Sequence, residues 1–393
     1  MLRAAHFCLT TIVSLIDFVI TGPELIRAYL KGEDIHMPSS SRSVRLALVA
    51  VVGFAGLGLS ACASSSSNNA GSGATAGGGG TSAAPASDLK IAAVIKGLDN
   101  PFFQTMQKGI EEQAAAAGAT VTVQAATAIT DTSGQADKLT GLASQDFGCF
   151  IVNPISGTNL IQGIAQLSAA EKKIVNIDSP IDAKAAEAAG AKPATYIGTD
   201  NVEAGKMAGA EMGKQLPQGG DVALIGGIAG DVTSGARLDG FQKGIPTTVK
   251  VVQTEAADWD RQTALTKATD ILRARPALKG FFAANDDMGL GIARAIANEG
   301  KTGQVKVISV DGNKDAFDAV KAGDISAVVA QYPYVIGKMG FEACQAALGG
   351  TTLPTNVKAP VQVVTKDNVD AALSAAPKPG DAYDDPFAAL VGR

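Results

Sequence analysis

The residues of this chain that could do chemistry fall just after its short apolar runs. Asp99, Asn100, Pro101, Phe102 and Phe103 follow LKIAAVI (89–95), Asn153 and Pro154 end CFIVN (149–153), and Asp178, Ser179 and Pro180 follow KIVNI (173–177). Further along come residues 226–231, then Asp258, Trp259, Asp260 and Arg261, then Asn285, Asp286 and Asp287, and finally Asp311 and Gly312. Carboxylates and amides accept and donate hydrogen bonds, and aromatic rings offer apolar faces. The set holds no metal-ligand cluster and no activated nucleophile. The only two histidines, His6 and His36, stand upstream of a segment that reads as a secretion signal. The exported protein is therefore expected to lack His-ligated zinc, Ser-His-Asp or Cys-His catalysis and histidine general bases.

Charge and motifs exclude more. The 33 Lys and Arg against 38 Asp and Glu give a net charge of −5, the wrong sign for a nucleic-acid face. Gly300-Lys301-Thr302 ends like a phosphate-binding loop, but Ala295 stands where its first glycine belongs. The dinucleotide-binding Gly-x-Gly-x-x-Gly is absent, and Gly226-Gly227-Ile228-Ala229-Gly230 lacks its spacing. Gly-x-Ser-x-Gly is missing too, which disfavours an α/β-hydrolase.

The elements that must position these residues show in the pattern around them. Besides the runs above, strands are predicted at 120–125, 195–199, 221–226, 249–254, 280–284, 305–310 and 325–331. Between them lie Ala-rich amphipathic segments such as Pro101–Ala117, where Phe103, Met106, Ile110, Ala114 and Ala117 recur at helical spacing. Near-continuous apolar strands alternating with helices predict parallel sheets covered on both faces, and so many strands are better divided between two similar α/β halves. Ligands of open parallel sheets sit beyond the carboxyl ends of the strands, where the polar set falls.

The chain ahead of the globular part has its own logic. From Met37, Arg42 and Arg45 precede an apolar run from Leu46 to Leu59 that ends in Ser60, Ala61 and Cys62. This is the order of a secretory signal, and the run is too short to span a membrane, which needs about 20 residues. Leu59-Ser60-Ala61-Cys62 resembles a bacterial lipobox, which implies lipidation at Cys62. Residues 62–87 are Ser, Gly and Ala with almost nothing apolar or charged, a composition suited to a flexible tether. Residues 1–36 fit poorly before such a signal, and Met37 is read as the true start. Of the four cysteines, Cys149 and Cys344 fall in the globular part; one disulfide and two separate buried thiols both fit the sequence.

DNPFF (99–103), ARLDGF (236–241), ADWDR (257–261), ANDDMGLG (284–291), SVDG (309–312) and AQYP (330–333) occur in a telling order. In order and spacing they resemble the periplasmic ribose-binding proteins, the pentose- and hexose-binding receptors of ABC transporters, over roughly 89–366. Effector domains of lactose-repressor-type regulators share that fold, but no helix-turn-helix segment is found here. The resemblance implies an α/β fold of periplasmic-binding-protein type, two doubly wound parallel-sheet lobes joined by a three-stranded hinge and closing around one monosaccharide. Its lobes would be 88–199 with 332–359 and 200–331 with 360–372, leaving 373–393 as a tail.

Carried over by position, Asn100, Phe102, Phe103 and Asp178 match contacts from the first lobe. Arg237, Trp259, Asn285 and Asp311 match contacts from the second, and Gln331 a polar contact at the hinge. Ribose receptors carry an arginine directly after the Asp178 position; this chain has Ser179, which argues against ribose itself. Sugar chemistry agrees with the set: hydroxyls both donate and accept, so a site wants carboxylates, amides and an arginine fork, with rings against the C–H faces.

Each residue also has a purely structural reading. Asn100 before Pro101, and Asn285 before Asp286, look like helix caps. Asp311-Gly312 looks like a turn, Phe103 like core, Trp259 like packing, and Arg237 like a surface ion pair worth under about 1 kcal/mol. The ordered set as a whole favours the receptor: a lipid-anchored, extracytoplasmic, monomeric protein that binds a monosaccharide or polyol and delivers it to an ABC permease and ATPase, without cofactor or catalysis. The alternatives are a sensor that signals its closed state to a membrane kinase, and an enzyme using Asp178 and Asp311 as acid and base.

Overall fold

In the computed structural model, the structure describes residues 89–392. The expected signal, Cys62 and tether lie outside the described residues. Two six-stranded sheets are built on one plan. The first contains β1 (Lys90–Ile95), β2 (Thr120–Ala125), β3 (Cys149–Val152), β4 (Lys173–Ile177), β5 (Thr195–Gly198) and β11 (Asn356–Lys358), in the order β2-β1-β3-β4-β5-β11. The second contains β6 (Gly220–Gly226), β7 (Val249–Ala256), β8 (Gly280–Ala283), β9 (Lys306–Asp311), β10 (Ala327–Gln331) and β12 (Val361–Thr365), in the order β7-β6-β8-β9-β10-β12. All pairings are parallel except β10 with β12.

Each strand predicted from the sequence is present. The central ones are buried along their whole length, as a sheet covered on both faces demands. The short edge strands β11 and β12 were not among the predicted runs, and antiparallel β12 departs from the purely parallel expectation. In both sheets the strand order reverses beside the first strand, so a crevice opens at its carboxyl end.

Twelve helices among the described residues cover the two sheets. They are α1 (Pro101–Ala116), α2 (Thr132–Ala143), α3 (Ile161–Ala169), α4 (Ala183–Ala189), α5 (Asn201–Gln215) and α6 (Val232–Gly244) in the first part of the chain. Then follow α7 (Arg261–Ala274), α8 (Asp286–Asn298), α9 (Lys314–Ala322), α10 (Pro333–Leu348), α11 (Val369–Ala375) and α12 (Pro386–Leu390). After β10 the chain returns to the first sheet through α10, which packs on α1, β3, β4 and β5. The approach to α1 is backbone to backbone: a Cβ at Gly109 would lie 2.1 Å from the Tyr334 carbonyl, and one at Gly337 2.2 Å from that of Met106. Only glycine fits there. A disulfide between Cys149, the first residue of β3, and Cys344 on α10 fastens the same helix to the sheet, which resolves the cysteine alternatives in favour of the bridge.

The stretch after 373, expected to be a tail, is folded against the body. Phe387 on α12 is fully buried, and Asp385 pairs with Lys338 on α10. Among the described residues, no helix is long and apolar enough to cross a membrane.

Candidate functional site

The carboxyl ends of the two sheets face a common cavity. Lys96, Asn100, Phe102, Phe103, Asp178 and Ser179 line it from the first sheet's side; Arg237, Trp259, Asn285 and Asp311 line it from the second. Ile129, Ile155 and Thr233 complete the wall. Asn100 Nδ2 lies 3.4 Å from Asp287 Oδ2, so a polar contact joins the two sides.

On the first side, the turn after β4 holds Asp178 in a left-handed backbone conformation, φ 59°, which a non-glycine residue adopts only under constraint. The constraints are visible. Asp178 N donates to the Ile197 carbonyl, Tyr196 Oη donates to the Asp178 carbonyl at 2.6 Å, and Asn176 Nδ2 donates to the Ser179 carbonyl at 2.8 Å. Lys96, the residue just past β1, donates from Nζ to Ser179 Oγ at 2.7 Å and lies 3.8 Å from Asp178 Oδ2. The same ammonium sits 5.4 Å from the centroid of Phe103, which meets Phe102 edge to face at 5.2 Å. Asn100 caps α1 through Oδ1, which accepts from Phe102 N, and lines the cavity as well. Capping fixes its orientation through Oδ1 and leaves its amide nitrogen outside the cap.

On the second side, Arg237 is buried, not a surface residue. Its Nε donates to Asn201 Oδ1 at 2.8 Å, and Nη1 donates to the Ala284 carbonyl at 2.6 Å and lies 3.4 Å from Asp311 Oδ1. Trp259 lies under the same guanidinium, 5.9 Å from ring to carbon, on a left-handed turn with Asp258. Gly227 leaves room for its indole: a Cβ there would come within 2.1 Å of the ring. Asn285 caps α8 by accepting from Met288 N at 3.0 Å, so its amide nitrogen is free of the cap.

Asp311 has φ 142°, and the turn it enters is braced by buried Asp286. That carboxylate accepts from Ser309 Oγ and from the backbone N–H groups of Gly312 and Asn313. It thereby shapes the Asp311 turn. Gln331, expected as a polar contact at the hinge, ends β10 beside Asp311. Its side chain lies behind Asp311 and donates to Asp311 Oδ1 at 2.8 Å, so it is not among the residues lining the cavity. It orients the carboxylate that does.

Burial raises the carboxyl of Asp178 above the usual carboxylate range, against the pull of Lys96 and Arg237. It pushes Asp311 up to about 7, with Arg237 opposing and the charge of Asp178 adding to the rise. The cavity thus pairs a carboxylate with a cation on each side, between aromatic rings. Such a lining can accept from hydroxyls at Asp178 and Asp311, donate to them from Lys96, Arg237 and Asn285, and hold a C–H face on a ring. Among the described residues, no cluster of His, Cys, Asp or Glu could hold a metal ion. Sequence reasoning missed Lys96; its one signal was a position at the carboxyl end of the first strand.

This fold and lining define a two-lobed binding protein. The chain belongs to the periplasmic binding protein family: residues 91–352 match the family's periplasmic binding protein domain. It is 37% identical over 286 residues to the D-allose-binding periplasmic protein of Escherichia coli K12, covering 71% of this chain and 90% of that one. It is 33% identical over 279 residues to the ribose import binding protein of Bacillus subtilis 168, covering 71% and 88%. Among solved structures, an ABC transporter periplasmic solute binding protein from Actinobacillus succinogenes 130z with bound D-allose superposes with a TM-score of 0.69 at 29% identity, covering 72% of this chain and all of that one. An ABC transporter solute binding protein from Agrobacterium vitis with bound D-fucose gives 0.67 at 29% identity, covering 71% and 96%.

Proposed function

We propose that this protein is an extracytoplasmic receptor, anchored by lipid at Cys62, that closes on one monosaccharide and delivers it to an ABC importer. The observation that carries the reading is the convergence of two carboxylate–cation sets, Lys96 with Asp178 and Arg237 with Asp311, on one cavity between Phe102, Phe103 and Trp259. The moving bodies in this reading are residues 88–199 with 332–359 and residues 200–331 with 360–372. Sugar shifts the equilibrium by binding the closed arrangement better than the open one. No covalent step is required, and the receptor acts as a monomer.

The ligand is an aldohexose rather than ribose. Ser179 is short, and its hydroxyl holds the Lys96 ammonium beside Asp178, where ribose receptors carry an arginine. The likeness to proteins named for or crystallised with D-allose supports this choice. A micromolar Kd corresponds to about 8 kcal/mol of net binding free energy, which this many charge-assisted hydrogen bonds and ring contacts can supply. Calorimetric titration with a panel of pentoses, hexoses and polyols tests the reading, with D-allose expected to bind more tightly than D-ribose. Heat from none of the panel sinks it. Trp259, the single tryptophan, provides an independent signal: the bound sugar is expected to change its emission.

A further inference from the structure

The chain crosses between the sheets once more than the hinge requires. Three crossings, after β5, after β10 and between β11 and β12, make the hinge. The fourth lies between α11 and α12. Helix α11 belongs to the second lobe, where it packs on α9 and β12 and where Asp370 pairs with Lys321. Helix α12 belongs to the first, where it packs on α10. Residues 376–385 run between them.

Both ends of this crossing are anchored. On the first lobe, Phe387 has no exposed surface, Val391 is buried beside it, and Asp385 Oδ1 accepts from the N–H groups of Phe387 and Ala388. The other Asp385 oxygen takes Lys338, whose ammonium also meets both oxygens of Glu342 at 2.9 Å; Glu342 in turn accepts from Gln113 on α1 at 2.8 Å. Lys378 sits 5.0 Å from the ring of Tyr334. On the second lobe, Val369 is buried. At its start, Ala376 and Pro377 line a cavity together with Pro101 and Thr105 of the first lobe and Asn313 and Phe317 of the second. The segment therefore touches both lobes at the hinge in the arrangement seen here, with the Asn100–Asp287 contact made.

We propose that residues 376–392 are a latch: a second, non-hinge tether that holds the two lobes together and biases the receptor toward its closed form. Separating the lobes must either stretch residues 376–385 or lift Phe387 and Asp385 from α10. Either change opposes opening, and neither opposes closure. The latch thus raises the closed population in the absence of sugar and slows release once sugar is bound. This inference rests on the reading that the lobes move about the hinge.

The test slackens the tether without touching its anchors. Four residues, Gly-Ser-Gly-Ser, inserted after exposed Gly380 leave α11 and α12 free to dock as before. Small-angle scattering of the sugar-free full chain is expected to show an upward shift in radius of gyration relative to wild type, and D-allose dissociation is expected to quicken several-fold. Phe387→Ala, which weakens the anchor instead of the tether, should shift both in the same direction. Unchanged radius and unchanged dissociation in both variants, each shown to be folded by its melting curve, overturn the latch. Wild-type scattering that fails to contract on D-allose addition counts against the receptor reading alone, because the latch is judged on the sugar-free comparison.

Discussion

Arg237 and Asp311 face each other inside the protein, Nη1 to Oδ1 at 3.4 Å, with only 5% and 7% of their side-chain surfaces exposed. Neither charge has water to fall back on, so each depends on the other and on the groups around it. Removing one partner of such a pair leaves a buried charge unmatched, at about 3–5 kcal/mol. Arg237→Ala is therefore expected to lower stability by roughly that amount and to reduce sugar affinity by about 100-fold, the loss of one charge-assisted donor pair. Chemical denaturation and calorimetry read the two effects separately. Affinity within twofold of wild type would remove Arg237 from the site.

Asp311 also sets a pH dependence. Its carboxyl is pushed up to about 7 in the folded protein, above its ordinary value of 3.8, and burial likewise raises Asp178, while Glu342 is pushed up to about 7. Between those limits the folded state binds more protons than the unfolded chain, so stability falls as pH rises. The contribution is complete below the unfolded value and lost as pH passes through about 7. The sugar-free protein is expected to melt several degrees higher at pH 5 than at pH 8, and Asp311→Asn to flatten that slope. Calorimetric melts across the range decide it; a slope of the opposite sign would be fatal.

Ser179 and Lys96 are hydrogen-bonded in the cavity wall, and in the proposed reading they set which sugar fits. Ser179→Arg adds a second cation where Lys96 Nζ already sits 2.7 Å from the serine oxygen. Like charges at that range repel, so the single variant is expected to bind D-allose at least about tenfold more weakly. Lys96→Ala combined with Ser179→Arg removes the conflict and is expected to move the preference toward D-ribose. Titration of both sugars into both variants tests this, and equal D-allose affinity in the single variant contradicts it.

The disulfide stands apart from binding. Cys149 opens β3, whereas the cavity lies at the strands' other ends. Cys149→Ser with Cys344→Ser is expected to lower stability by about 2–5 kcal/mol while leaving sugar affinity unchanged. Thiol titration of the denatured, unreduced protein should find neither cysteine free.

Much of this was legible in the sequence because the strands are buried on both faces. Continuous apolar runs such as CFIV and AVVAQ announce themselves, and the polar residues after them mark the crevice. Asn100, Asn285 and Trp259 have structural readings as caps or packing, and the structure shows them capping or packing while also lining the cavity. What escaped was tertiary. Lys96 looks like the solvated flank of a strand until Ser179 is brought to it from 83 residues away. The hydrogen bond from Gln331 to Asp311 likewise joins residues 20 apart that only the fold brings together. The short strands β11 and β12 and the docking of Phe387 depend on partners distant in sequence, and no local pattern announces them.

Helix α10 has a consequence for the birth of the protein. Its glycine contact with α1 and its disulfide to β3 complete the first lobe, yet its residues follow the whole of β6 to β10 in the chain. A chain threaded outward from its amino end presents the first sheet long before the helix that seals it arrives. The second lobe, by contrast, has helices α5 to α9 interleaved with β6 to β10, so its sheet and its main covering helices emerge together. Long-range closure of this kind is slow and leaves apolar surface uncovered meanwhile. During export, the half of the molecule that emerges first is the half that must wait.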